Sequence, residues 1–279
     1  MELCITTLSE NTAPARRGLL GEWGLSVLVE VDNLKVLLDT GQGISTAHNA
    51  DVLGIELSQI NKIVLSHGHY DHTGGLRQVL GRIKKEAEII AHPEVWAAKY
   101  RYNPNEKHYN YIGIPFQRDE LEDLGASFSL TTKPEWLTQD IVTSGEIPML
   151  NDYEKIDPNL YIKKGGEFHP DSLRDDQALF IKTNQGLVVI LGCGHRGVIN
   201  TLRHAQKLTG IEPIHTLIGG THLIHASEAQ LELTIAELKA LGVQQLGVSH
   251  CTGMWAATRL AQEFGEKFFF NNVGTCITF

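Results

Sequence analysis

The sequence predicts an α/β fold, strand-led at both ends, with helices between strands in its second half. Three observations carry that reading. Short apolar runs rich in Val, Leu and Ile recur along the chain, each bounded by turn residues. From residue 177 onward these runs alternate with stretches of helical spacing. Histidines gather where several of the runs stop, which is where α/β proteins build their sites.

Taken in order, residues 25–31 (LSVLVEV) and 35–41 (KVLLDTG) read as strands. The turn residues between them make a hairpin. A helical stretch follows near 44–53. NKIVLS (61–66) is a compact apolar run of the kind that forms a buried strand. GGLRQVLGRIKKE (74–86) has helical spacing, and AEIIAH (87–92) reads as the next strand. The segment 97–175 is rich in Tyr, Asn, Pro and charge. It reads as an irregular excursion over the surface, placed to cover a pocket, with strand-like pieces at 126–130 and 140–148. Residues 178–191 read as a hairpin turning at 184–186. A helix over 197–210 ends at Gly210. Strand, helix and strand follow at 214–220, 227–242 and 244–250, with Ser227 and Gln230 spaced as a capping box. The sum is one domain over residues 1–279.

The chain has 279 residues and a net charge of -9, with no block of like charge. That argues against nucleic acid as the partner and leaves a small molecule. Cys4, Cys193, Cys251 and Cys276 make no C-x-x-C pair. The first ten residues show neither a basic start nor a long apolar run, so neither a signal peptide nor a membrane span is expected. A cytoplasmic protein with free thiols and no membrane partner is the simplest account; a homo-oligomer stays open.

LSHGHYDHTGGL (65–76) concentrates the chemistry. In a turning segment alternate side chains share a side, so His67, His69 and Asp71 can point inward together, with His72 brought round by the turn. Gly68 leaves room for close backbone approach, and Gly74 and Gly75 let the chain turn into the next helix. His195, His222 and His250 stand at the ends of other strands. Imidazoles and a carboxylate on one rim make a metal site, and these donors suit Zn, Fe or Mn. Four donors on one loop exceed what one open catalytic ion needs, which points to two divalent ions sharing a hydroxide. The bland alternative, a hydrogen-bonded polar turn, does not explain the spacing. GHRGV (194–198) opens a helix, so its backbone amides and Arg196 are expected to favour an anion such as phosphate.

HGHYDH matches the H-x-H-x-D-H signature of the metallo-β-lactamase superfamily, and the chain resembles that family along most of its length. LLDTGQG (37–43) looks like the strand end that precedes the signature. GEWGLSVLVE, TSGEIP, DDQAL, LGCGHRGVIN, IGGTHL and SHCTG resemble one branch. That branch is named for the 7,8-dihydropterin-6-methyl-4-(β-D-ribofuranosyl)aminobenzene-5'-phosphate synthase of methanogens. The resemblance implies a four-layer αββα sandwich and a dinuclear centre, with zinc first and iron or manganese as alternatives. It implies that His67 and His69 bind one ion, that Asp71 and His72 bind the other, and that His250 closes the second. Asp39 supports them from behind. Many hydrolases of the superfamily have a bridging aspartate where this sequence has Cys193-Gly194-His195. His195 is then the ligand, with Cys193 a nearby thiol. Asp71 and His195 are the expected catalytic pair, and His222 is a ligand, a substrate contact or a satisfied polar residue.

The function this implies is a metal-dependent hydrolase-like enzyme. A metal-bound hydroxide would attack a small anionic substrate, phosphorylated or pterin-related. The alternatives are a lactone, thioester or phosphodiester hydrolase on the same site, a di-iron redox protein, and a non-catalytic metal- or ligand-binding protein.

Overall fold

The first apolar runs pair as their turn residues demand. Strands β1 (Leu3–Ser9), β2 (Ser26–Val31) and β3 (Leu34–Leu38) form an antiparallel meander, with Val31 opposite Leu34. Asp32 in the two-residue turn has φ 51°, the left-handed backbone that such a hairpin requires. The computed structural model describes residues 3–15 and 18–279.

These residues fall into two compact units. The first runs to Thr131 and takes in Ile156–Asp175 and Val273–Phe279; the second is Thr132–Lys155 with Asp176–Asn272. In chain order the first unit continues with α1 (Ser45–Leu53), β4 (Lys62–Val64), α2 (Tyr70–Thr73), α3 (Leu76–Ile83) and β5 (Ala87–Ala91). It goes on through β6 (Lys99–Asn103), β7 (His108–Tyr111), α4 (Arg118–Asp123) and β8 (Ala126–Leu130). Strand β9 (Ile141–Thr143) belongs to the second unit, and β10 (Leu160–Lys164) and β11 (Glu167–Pro170) to the first. The second unit then holds β12 (Ala178–Thr183), β13 (Gly186–Leu191), α5 (Val198–Thr209) and β14 (Ile214–Gly220). After these come α6 (Glu228–Ala240), β15 (Gln245–Ser249), α7 (Met254–Phe264) and β16 (Phe268–Phe270). Strand β17 (Cys276–Thr278) pairs with β1.

The first unit has a seven-stranded sheet in the order β17-β1-β2-β3-β4-β5-β8. From β3 onward its strands are parallel. Leu28, Leu37, Ile63 and Ile89 of this sheet are buried in one cluster with Leu76, Val79 and Leu80 of α3. The second unit has a six-stranded sheet in the order β16-β15-β14-β13-β12-β9, parallel from β13 to β16. Every residue of β13 is buried, as a central parallel strand covered on both faces must be. Leu187, Val189 and Leu191 share a core cluster with Val198 and Leu202 of α5 and Leu231 of α6. The two sheets thus share a plan: an antiparallel hairpin first, then parallel strands whose carboxyl ends carry loops.

The segment expected to be an irregular excursion is ordered over much of its length. Strands β6, β7, β10 and β11 form a separate antiparallel sheet in the order β11-β10-β6-β7. Aromatic rings pack much of it, while Leu160 and Ile162 of β10 are buried. Tyr109 stacks on Phe168 with ring centroids 3.7 Å apart, and Tyr100 meets both Tyr111 and Phe168 edge to face. KYRYN does alternate in period two, but a tyrosine stripe among Lys, Arg and Asn does not register as a hydrophobic run. Among the described residues, no helix is long and apolar enough to cross a membrane.

Candidate metal centre

The donor loop of the first unit begins where β4 ends. Strand β3 is its parallel neighbour, so Asp39 emerges beside it, with Leu38 in register with Val64. Asp39 is fully buried and has φ 59°. Its Oδ1 accepts from the Ser66 amide at 2.7 Å, and its Oδ2 accepts from Ser66 Oγ at 2.6 Å and His72 Nδ1 at 2.6 Å. A carboxylate at Nδ1 puts the ring proton there, so Nε2 carries the lone pair that a metal would use. Ser66 Oγ also lies 2.9 Å from His67 Nδ1. That turns the other nitrogen of His67 toward its neighbour, and His67 Nε2 lies 2.9 Å from His69 Nδ1. Two nitrogens bound to one tetrahedral zinc sit about 3.4 Å apart, so a small ring rotation admits an ion. Asp71 Oδ2 accepts from Trp23 Nε1 at 2.9 Å and lies 4.0 Å from His72 Nε2.

The glycines of this loop serve close approach. A Cβ on Gly68 would lie 2.2 Å from the Val95 carbonyl oxygen. Gly74 and Gly75 were expected to permit a tight turn, but their φ values are -67° and -77°, open to any residue. They are glycines because a Cβ would lie 2.0 Å from the Gln42 carbonyl oxygen and 1.9 Å from that of Thr40.

Behind the loop stands a buried ion cluster that the sequence reading missed. Lys99 is fully buried, and its Nζ lies 2.9 Å from Asp171 Oδ2 and 2.8 Å from Asp175 Oδ1. The second oxygen of Asp175 accepts the Gly68 amide at 2.9 Å. Burial pulls the Lys99 ammonium down, but the two carboxylates outweigh it and hold it above its usual value. Burial pushes the Asp175 carboxyl up, against the pull of Lys99.

In the second unit, His195, His222 and His250 follow β13, β14 and β15 respectively. His222 has φ 49° and His250 φ 52°. With Asp39, three of the expected site residues occupy left-handed backbone, the kind of strain that persists where a site over-determines it. Ligand atoms of Cys193, His250 and Cys251, all buried, lie within 4.8 Å of one another. The Cys251 thiol donates to the Cys193 carbonyl at 3.4 Å and accepts the His222 amide at 3.3 Å. The rings of His195 and His222 are tilted, with centroids 4.2 Å apart. Both line a polar cleft with Lys155, Thr221 and Gln230.

The start of α5 is not open to an anion as the sequence reading expected. The Glu154 carboxylate occupies it, accepting the Ile199 amide at 2.8 Å and the Asn200 amide at 2.9 Å. Arg196 turns its Nε to the Ile147 carbonyl oxygen at 2.5 Å. Its amide donates to Asp176 Oδ2 at 2.9 Å. Burial raises the Glu154 carboxyl, opposed by Asn151 and the amides of α5.

The first unit offers buried imidazoles, one with its tautomer fixed, and a carboxylate held by an indole N–H; the second offers a buried histidine beside two thiols; each set suits divalent transition ions.

The profile of the metallo-beta-lactamase superfamily matches residues 24–199. The 7,8-dihydropterin-6-methyl-4-(beta-D-ribofuranosyl)-aminobenzene-5'-phosphate synthase of Methanocaldococcus jannaschii is 33% identical over 283 residues, covering 99% of this chain and 96% of its own. A solved structure described as a metal-dependent hydrolase of the beta-lactamase superfamily aligns with a TM-score of 0.85 and 28% identity, over 99% of this chain and 98% of that one. Zinc-bound PqqB of Methylobacterium extorquens shares the fold, with a TM-score of 0.59 and 10% identity over 98% of this chain and 99% of that one.

Proposed function

The chain belongs to the metallo-β-lactamase superfamily, with its αββα metallohydrolase fold, and on that premise we propose a metal-dependent hydrolase-like enzyme for a small anionic substrate. The observation that carries this reading is the buried Asp39–His72 pair behind a loop that also presents His67, His69 and Asp71. A polar turn has no need of a histidine whose tautomer is set by a fully buried carboxylate.

The proposed ligands are His67, His69, Asp71 and His72 from the first unit, with His195 and His250 from the second. Two divalent ions, zinc first, fit this number of donors. When bound, such ions supply Lewis acidity and a water that is nucleophilic at neutral pH. Asp71 orients the attacking water through the oxygen that Trp23 does not hold, and takes up its proton. His195 stays a ligand, and the proton that Asp71 has taken up goes on to the leaving group.

The anionic end of the substrate belongs to the cleft beside His195, where Lys155 carries the positive charge, the Glu154 carboxylate is taken up by the α5 amides, and His222 and Gln230 offer hydrogen bonds. Arg196 acts from behind, holding the loop through Ile147. A phosphorylated, pterin-related substrate agrees with the name of the Methanocaldococcus relative.

Elemental analysis of protein purified without chelator tests the reading. About two ions per chain support it, and phosphodiester, lactone and thioester substrates then sort the reaction class. A protein that takes up no zinc, iron or manganese on addition is not this enzyme.

A further inference from the structure

Asp175 and Asp176 are consecutive residues, and each holds the backbone of a different donor loop. Asp175 Oδ2 accepts the Gly68 amide at 2.9 Å, the first amide after His67. Asp176 Oδ2 accepts the Arg196 amide at 2.9 Å, the first amide after His195. The relation is the same in both units: a carboxylate on the N–H that immediately follows a histidine. Both side chains are buried, at 0% and 1% exposure, so neither carboxylate lies there for solubility. An ionised acceptor makes a stronger and more directional bond to an amide than a neutral one. Asp175 is itself anchored, because its other oxygen binds Lys99, which also binds Asp171. Gly68 also runs close to the Val95 main chain, where an added Cβ would lie 2.2 Å from the carbonyl oxygen.

We propose that Asp175 and Asp176 are a pair of positioning residues, setting the backbone from which His67, His69 and His195 reach the metal ions. The proposal rests on the metal-centre reading above. It accounts for two adjacent acidic residues in a buried stretch whose other members, Gln177 and Ala178, lead directly into β12. Neither residue contacts the reacting atoms. Their effect runs through ligand geometry, and outer partners of this kind typically alter metal affinity by about 10- to 100-fold.

The test is zinc affinity by competition with a chromogenic chelator, alongside the melting temperature of the metal-free protein, for the full chain and four variants. Asp171→Asn is the control for Asp175→Asn. Each residue uses one oxygen for Lys99 and the other for a backbone amide, but the Asp171 amide partner is Leu173, away from the donors. Both variants should lower the melting temperature of the metal-free protein, because the one amide oxygen left goes to the Lys99 ammonium, the stronger donor, and an NH₂ is left facing the backbone N–H. Only Asp175→Asn should also weaken zinc binding, by about tenfold or more. Asp176→Ala should weaken zinc binding to a similar degree, and Asp176→Asn should restore most of it, because an amide oxygen can accept the same N–H. Equal zinc affinity in Asp171→Asn and Asp175→Asn, or wild-type affinity in Asp176→Ala, overturns the proposal while leaving the metal reading intact. If Asp175→Asn does not fold, the Asp176 pair decides alone. A wild-type protein that binds no zinc, iron or manganese removes the metal reading, and the proposal with it.

Discussion

Asp39 Oδ2 lies 2.6 Å from His72 Nδ1, with neither side chain exposed to solvent. The same oxygen accepts from Ser66 Oγ, and its partner oxygen accepts the Ser66 amide. Asp39→Asn keeps the shape and can keep the Ser66 amide on its oxygen. Its NH₂ then faces His72 Nδ1 as a donor and drives the ring proton to Nε2. That tautomer cannot bind a metal through Nε2. Zinc affinity should fall by about 10- to 100-fold, with a smaller loss of metal-free stability, about 1–2 kcal/mol for the altered hydrogen bonds. Chelator competition and thermal melting of the same preparation read both quantities. Unchanged zinc affinity in Asp39→Asn would show that His72 does not use Nε2 as a ligand.

Gly75→Ala sets a methyl group 1.9 Å from a main-chain oxygen, that of Thr40. No side-chain rotation relieves a contact with backbone. The Thr40 amide and hydroxyl both donate to the His72 carbonyl, so relief by moving residue 40 disturbs the donor loop. The substitution should cost about 3 kcal/mol or more. Gly81→Ala, inside the helix that Gly75 precedes and with nothing within 4 Å of the new methyl, should be neutral or stabilising. Equal melting temperatures for the two variants would refute the crowding argument.

Glu154 offers a pH test. Its carboxyl is raised from 4.5, burial being the main cause. A folded-state value above the unfolded one means that the native protein holds the proton more tightly. The associated stability is complete below about 4.5 and is lost as pH rises through the folded value. Glu154→Gln does not titrate. Compared with that variant, the wild type should therefore lose melting temperature as pH rises through the window just above 4.5. A gain in the same window would reverse the assignment. At neutral pH, Glu154→Ala should cost about 2 kcal/mol, because it uncaps the Ile199 and Asn200 amides of α5.

The donors were legible because they are crowded: His67, His69, Asp71 and His72 fall within six positions and follow an apolar strand. What surrounds them was not. Gly68 and its acceptor Asp175 are 107 residues apart, and nothing local in DDQAL marks that both aspartates are buried or which amide each one holds. Lys99 stood in an alternating stretch of tyrosines and charges that looks solvent-facing, yet it is fully buried. The start of α5 looked like an open anion site because its occupant, Glu154, lies 45 residues from Ile199. Local pattern identified the strands and the loop chemistry. Long-range partners, which decide whether a polar group is available, appear only in three dimensions.

Trp23 supplies an optical handle on the same centre. Its ring is 43% exposed, while its Nε1 donates to Asp71 Oδ2 at 2.9 Å. An ion bound by Asp71 withdraws charge from that oxygen and weakens the indole hydrogen bond, so metal binding should change the indole emission. The change should be absent in Trp23→Phe, although three other tryptophans remain. Trp23→Phe also removes one hydrogen bond from the Asp71 carboxylate. Once a substrate is identified, its turnover should drop by about tenfold, the scale of one lost hydrogen bond to a charged group, with a smaller change in KM. If zinc leaves wild-type emission unaltered, Asp71 is not a ligand. If emission changes equally in wild type and Trp23→Phe, the reporting indole is elsewhere, and the Trp23–Asp71 bond is structural only.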